Sequence, residues 1–146
     1  MQLLTQNAKV EALKRVPLLS GLSRRELTEL AKVAEDIDFP AGKTLAREGT
    51  MSREFFAIVD GQVEMTKRGR RVTTIGPGDF IGEFSLVVGK PREVTATAKT
   101  PLRAFVLTER DFKQLLRSNP GVELKVMRSL VEWVRTLVKD PTLLNG

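Results

Sequence analysis

From Ile37 to Leu107 the chain is repeatedly interrupted by turn formers: Pro40-Ala41-Gly42, Gly49, Gly61, Gly69, Gly76-Pro77-Gly78 and Gly89-Lys90-Pro91. Turn signals at roughly eight-to-twelve-residue spacing leave room only for short strands, and a run of such strands suggests an all-β barrel or sandwich. The pieces between the turns have strand texture. They are Thr44-Leu45-Ala46, Glu54 to Asp60, Val63-Glu64-Met65-Thr66, Val72-Thr73-Thr74-Ile75, Ala96 to Ala98 and Leu102 to Leu107. The basic run Lys67-Arg68-Gly69-Arg70-Arg71 falls between two alternating segments and reads as a solvated hairpin tip.

Helical patterning flanks this region on both sides. Val10, Leu13 and Val16 have helical spacing, and Pro17 ends that run. Ser23 with Glu26 makes a capping-box pair opening a second helix through Leu27, Leu30, Ala31 and Ala34. Thr108 is an N-cap candidate for a helix beginning Glu109-Arg110-Asp111-Phe112, and Asn119-Pro120-Gly121 breaks it. The last helix is expected over about Val122 to Val138. Its apolar stripe takes in Leu124, Met127, Leu130 or Val131, Val134 and Val138, with Trp133 and Leu137 at its edges.

Residue types narrow the chemistry. The 146 residues contain no cysteine and no histidine, so thiol nucleophiles, histidine bases and zinc sites of the Cys/His kind have no ligands or bases to work with. No paired carboxylates on a shared element suggest hydrolysis, and an enzyme is not expected. The chain has no signal-like N-terminus and no long apolar run, and it is expected to be cytoplasmic, without membrane attachment, metal or bound cofactor. A net charge of +6, from 24 basic against 18 acidic residues, favours anionic partners.

One segment can give that charge a specific target. Gly82-Glu83-Phe84-Ser85-Leu86 follows the strand-like Asp79-Phe80-Ile81, and a short helical turn there would point unpaired backbone N–H groups at an anion. Glu83 can accept from sugar hydroxyls. Arg92, returning after the Gly-Lys-Pro turn, can pair with a phosphate. On residue types alone, a Glu83–Arg92 salt bridge tying a loop to the barrel accounts for the same pattern.

Taken together, Ile81-Gly82-Glu83-Phe84-Ser85-Leu86, Pro91-Arg92, Glu93-Val94 and Thr95 resemble the phosphate-binding cassette of the cyclic nucleotide-binding domain family. Catabolite-activator-type regulators, protein kinase A regulatory subunits and cyclic nucleotide-gated channels share this domain. Gly42, Gly49, Gly61 and Gly78 fall where the family has its barrel glycines, and the likeness covers nearly the whole chain. The resemblance implies a mainly β fold: a double-stranded β-helix, or jelly-roll-like β-roll, with N-terminal helices and a C-terminal helix. Residues 1–146 would form a single domain, helical over 8–36, rolled over 37–107 and helical again over 108–139.

By the same resemblance, Glu83 binds the ribose 2′-hydroxyl, Arg92 binds the cyclic phosphate, and the backbone of Gly82 and Ser85 lines the sugar phosphate. Phe84, Glu93, Val94 and Thr95 complete the ligand-binding set. Members that bind cyclic AMP usually carry alanine, serine or threonine directly after the arginine. This chain departs with Glu93, followed by Val94 where alanine is usual. A carboxylate facing the phosphate at about 4 Å would oppose binding by roughly 4 kcal/mol at an effective dielectric of 20, so Glu93→Ala is expected to tighten it.

The expected function is a regulatory module that binds cyclic AMP, or else cyclic GMP, and signals through its C-terminal helix, with a homodimer or partner protein met through Val122 to Val138. One alternative is a domain of the same fold that has lost nucleotide and serves as a protein-interaction module. The other is a transcription regulator without its own helix-turn-helix. DNA-binding relatives carry that motif after the long helix, whereas this sequence stops at Gly146, so DNA binding is not expected of this chain alone.

Overall fold

In the computed structural model, which describes residues 5–51, 53–82 and 91–139, the strands form two four-stranded sheets in which every pairing is antiparallel. The strands are β1 (Glu35–Phe39), β2 (Thr44–Ala46), β3 (Glu54–Asp60), β4 (Val63–Lys67), β5 (Arg70–Ile75), β6 (Phe80–Ile81), β7 (Thr95–Ala98) and β8 (Leu102–Thr108). One sheet has the order β1-β8-β3-β6 and the other β2-β7-β4-β5. Successive strands repeatedly change sheet, which is the wrapping of a β-roll.

The burial pattern explains the layering. Phe56, Ile58, Leu102 and Val106 of the first sheet meet Ala46, Val63, Met65, Ala96 and Ala98 of the second in one apolar interior. Neighbouring residues on β3 and β8, namely Phe55, Ala57, Phe105 and Leu107, point the other way into a second cluster built with the helices. Strands β3 and β8 of the first sheet are covered on both faces and read as nearly continuous apolar runs; β4 and β7 of the second alternate.

Helix α1 (Gln6–Lys14) is capped by Thr5, whose hydroxyl accepts from the Ala8 N–H. A single 3-10 turn, Pro17–Leu19, follows, and then α2 (Arg24–Val33). Ser23 and Glu26 form the reciprocal capping box that their spacing predicts. Ser23→Ala should cost about 1 kcal/mol of stability, measurable as a lower urea midpoint at unchanged m-value.

Strand β1 begins at Glu35, so sheet structure starts slightly earlier than the helix-to-strand change expected at Ile37. Beyond the roll, Thr108 caps α3 (Glu109–Ser118) by accepting from the Asp111 N–H. Phe112 of α3 is fully buried and stacks on Phe55, with ring centroids 4.4 Å apart. Helix α4 (Pro120–Lys139) opens with proline in its first turn, where the missing N–H costs nothing, and so starts earlier than Val122.

The last helix corrects the expected single stripe. Val122 and Val126 are buried and Leu130 packs against the same cluster, whereas Leu124, Met127 and Val131 are about half exposed. The side chains of Trp133, Val134, Leu137 and Val138 lie outside the described residues. Beside the inward face, the Lys125 Nζ donates to the Pro17 carbonyl at 3.0 Å and to Ser20 Oγ at 2.7 Å, tying the helix to the 3-10 turn.

Candidate functional site

The segment that carries the candidate site leaves the first sheet at β6, which pairs with β3 through Phe56↔Ile81 and Ala57↔Phe80. Gly82 comes next with φ +101°, and a Cβ built there would lie 2.4 Å from the Glu54 carbonyl oxygen and 3.3 Å from the Phe55 Cα. The backbone of β3 occupies the space a side chain would need. Glycine is therefore required by the close strand approach, whatever else its N–H does. Glu83, Phe84 and Ser85 lie outside the described residues.

The chain returns beside the β2–β3 loop. The Arg92 N–H donates to the Thr50 carbonyl at 2.7 Å, and the Arg92 carbonyl accepts from the Gly49 N–H at 2.8 Å. This reciprocal pair pins the arginine's backbone to a turn distant in sequence. The side chain is half-buried and borders an open groove of about 570 Å³ together with Lys43, Thr44, Arg47, Arg53 and Glu54. Four cations and one carboxylate on a shared rim give a positive local field, and the volume lies in the range of small-molecule sites.

Glu93 has a partner that sequence reading missed. Its Oε2 lies 3.3 Å from the Nζ of Lys67. Lys67 was expected in a solvated hairpin tip, but only Arg68 and Gly69, both with positive φ, form the turn between β4 and β5. Lys67 ends β4 as the third member of the inward row Val63, Met65, Lys67, with only 9% of its surface exposed. It is the sole charged side chain among the buried described residues. Alternation carried one step further past Met65 is the sequence signal that would have found it.

Val94 is buried in the roll interior with Met65 and Ala96. Thr95 opens β7 and engages Glu48: its hydroxyl accepts from the Glu48 N–H at 3.1 Å and lies 3.4 Å from the Glu48 carboxylate. That carboxylate in turn accepts from the Arg68 N–H. Thr95 and Glu48 thus tie the β2–β3 loop to the hairpin. Arg92 lines the groove and Glu93 pairs with Lys67, whereas Val94 lies in the core and Thr95 anchors the loop.

Among the described residues, no cluster of carboxylates could hold a metal ion, and no helix is long and apolar enough to cross a membrane.

Comparison with known proteins bears on this segment directly. The family model for the cyclic nucleotide-binding domain matches residues 36–119, which include every strand but the first residue of β1. The cAMP-dependent protein kinase regulatory subunit of Schizosaccharomyces pombe is 32% identical over 118 residues, covering 80% of this chain and 28% of that protein. A solved structure described as cAMP-bound PfPKA-R superposes with a TM-score of 0.84 at 25% identity, covering 92% of this chain and 46% of the other. The regulatory subunit of a cAMP-independent protein kinase A from Trypanosoma brucei superposes with a TM-score of 0.78, also at 25% identity, covering 85% and 46%. The chain spans less than half the length of each of these relatives.

Proposed function

Since the chain belongs to the cyclic nucleotide-binding domain family, we propose that it binds a cyclic purine nucleotide, cyclic AMP first and cyclic GMP second, as a regulatory rather than catalytic module. The observation that carries this reading is Arg92, fixed through both of its backbone hydrogen-bonding groups at the rim of a basic groove. An arginine whose backbone is fixed ahead of ligand arrival has only its side chain to order on binding a phosphate, and its planar fork suits phosphate oxygens. Within the same reading, Glu83 takes the ribose hydroxyl, and Gly82 and Ser85 offer backbone groups to the sugar phosphate. Phe84, Val94 and Thr95 belong to the supporting shell.

Output through the last helix is part of the proposal. Helix α4 packs on α3 and on the 3-10 turn by its inward face and leaves Leu124, Met127 and Val131 open to a second copy or a partner protein.

Isothermal titration with cyclic AMP and with cyclic GMP tests the proposal. A saturable one-to-one isotherm with cyclic AMP is the expected result, and 5′-AMP should bind more weakly. The second reading, a docking module of the same fold, is favoured by one observation, the acidic Glu93 directly after Arg92 in the sequence. The description of the Trypanosoma relative as cAMP-independent is compatible with it. Absence of heat with both cyclic nucleotides at millimolar concentration would select that reading.

A further inference from the structure

The turn between β2 and β3 grips the returning chain at two points and holds the β4–β5 hairpin as well. Gly49 and Thr50 take the Arg92 backbone: the Gly49 N–H donates to the Arg92 carbonyl at 2.8 Å, and the Arg92 N–H donates to the Thr50 carbonyl at 2.7 Å. The neighbouring Glu48 takes Thr95, its N–H donating to the threonine hydroxyl at 3.1 Å. The Glu48 carboxylate reaches a third segment and accepts from the Arg68 N–H at the hairpin tip. We infer that Glu48 is a positioning residue for nucleotide binding: its carboxylate anchors to the hairpin the turn that seats the Arg92 backbone. The inference rests on the proposed nucleotide reading and deepens it.

The turn depends on that anchor for its place. Thr50 folds back on the Arg47 carbonyl through its N–H at 3.2 Å and its hydroxyl at 2.7 Å, so residues 47–50 move as one piece. All four are exposed or half-buried, and none belongs to either apolar cluster. Hydrogen bonds rather than packing therefore locate the piece, and Arg92 is located by it.

The far end of the tie is itself a constrained residue. Arg68 has φ +54° and is the one non-glycine residue with positive φ among those described. Left-handed backbone at a residue with a side chain is strained and persists where the surroundings hold it. Glu48 is part of that hold, with its two carboxylate oxygens 3.1 and 3.3 Å from the Arg68 nitrogen, and the carboxylate charge strengthens the bond. These contacts span 20 residues of sequence to Arg68 and 47 to Thr95, so they are tertiary ties and not features of either turn by itself. With the carboxylate removed, the turn keeps its backbone bonds to Arg92 and Thr95 but loses the hairpin. Turn and Arg92 can then shift together relative to the roll, and ordering them becomes part of the cost of binding a phosphate.

The experiment compares the full chain in four forms: unmodified, Glu48→Gln, Glu48→Ala and Ser23→Ala. Glutamine keeps a carbonyl oxygen for the Arg68 N–H, alanine removes it, and Ser23→Ala supplies a loss of stability remote from the site. Cyclic AMP affinity, measured by calorimetry, should fall about tenfold in Glu48→Ala and stay within about threefold of the unmodified chain in Glu48→Gln and Ser23→Ala. An equal loss in Glu48→Gln and Glu48→Ala overturns the positioning role, and so does unchanged affinity in Glu48→Ala.

A second measurement needs no nucleotide. In ligand-free Glu48→Ala, amide hydrogen exchange at Gly49 and Arg92 should quicken about tenfold relative to Ile58, a fully buried β3 residue whose N–H donates to the Asp79 carbonyl. Unchanged exchange overturns the inference even where affinity falls, since Glu48 then touches the ligand itself. Quickened exchange in a chain that takes up no nucleotide supports the tie and sinks only the nucleotide reading.

Discussion

Arg92→Ala is expected to lower affinity for cyclic AMP by about 100- to 1,000-fold, because truncating one partner of a hydrogen-bonded charge pair in a partly desolvated site costs roughly 2–5 kcal/mol. The loss should fall on binding and leave the fold in place. The two backbone hydrogen bonds of Arg92, to the Thr50 carbonyl and from the Gly49 N–H, survive removal of the side chain. The melting curve should therefore keep its cooperative shape while the calorimetric isotherm flattens. Binding within about threefold of the unmodified chain would mean that the phosphate is held elsewhere, with Lys43, Arg47 and Arg53 on the same rim as the next cations to remove.

Gly82→Ala should have the largest effect on stability that bears on the site. Its φ of +101° lies where side-chain-bearing residues are strained by about 1–3 kcal/mol. The new Cβ would also meet a backbone carbonyl at 2.4 Å, an obstacle no rotamer change relieves. Together these should cost about 3 kcal/mol or more and lower the melting temperature by roughly 10 °C. The collision is with Glu54 and Phe55, so the β3–β6 pairing is the part of the structure expected to give way. A loss under about 1 kcal/mol would show that β6 can draw away from β3 and that glycine is kept there for another reason.

The elements that could be read from the sequence are those whose cause is local. The Ser23/Glu26 capping box, the Thr108 cap and the β4–β5 hairpin each depend on residues a few positions apart, and each forms as its spacing predicts. The strands followed from the glycine spacing for the same reason. What escaped is set by tertiary contact. Apolar periodicity marks α4 as amphipathic, yet Val122, Val126 and Leu130 are distinguished from Leu124, Met127 and Val131 by packing against the helix-facing core, a contact made with elements remote in sequence.

The candidate site divides in the same way. Arg92 and Glu93 stand out by residue type, but the Thr50 carbonyl that seats Arg92 and the Lys67 ammonium that receives Glu93 belong to remote strands and loops. Thr95 ends the motif, and what its neighbours are is not written there. Its strand alternation turns it outward, opposite to Val94 and Ala96, and its hydroxyl goes to Glu48. Charge added to the motif had a reading only once the partner across the roll was known.

The helix-facing core has a consequence for how such a domain can travel between proteins. The family match covers residues 36–119, yet most of the cluster on the outer face of the first sheet comes from outside those limits, including Val10, Leu13, Leu18, Leu27, Val122 and Val126. The matched span is therefore not a unit that could be spliced into another chain by itself. Transplanted alone, it would bring Phe55, Phe105 and Phe112 to the surface and aggregate through them. The graftable module is longer, running from α1 through the buried turns of α4, and the helix proposed to report ligand is one of its structural walls.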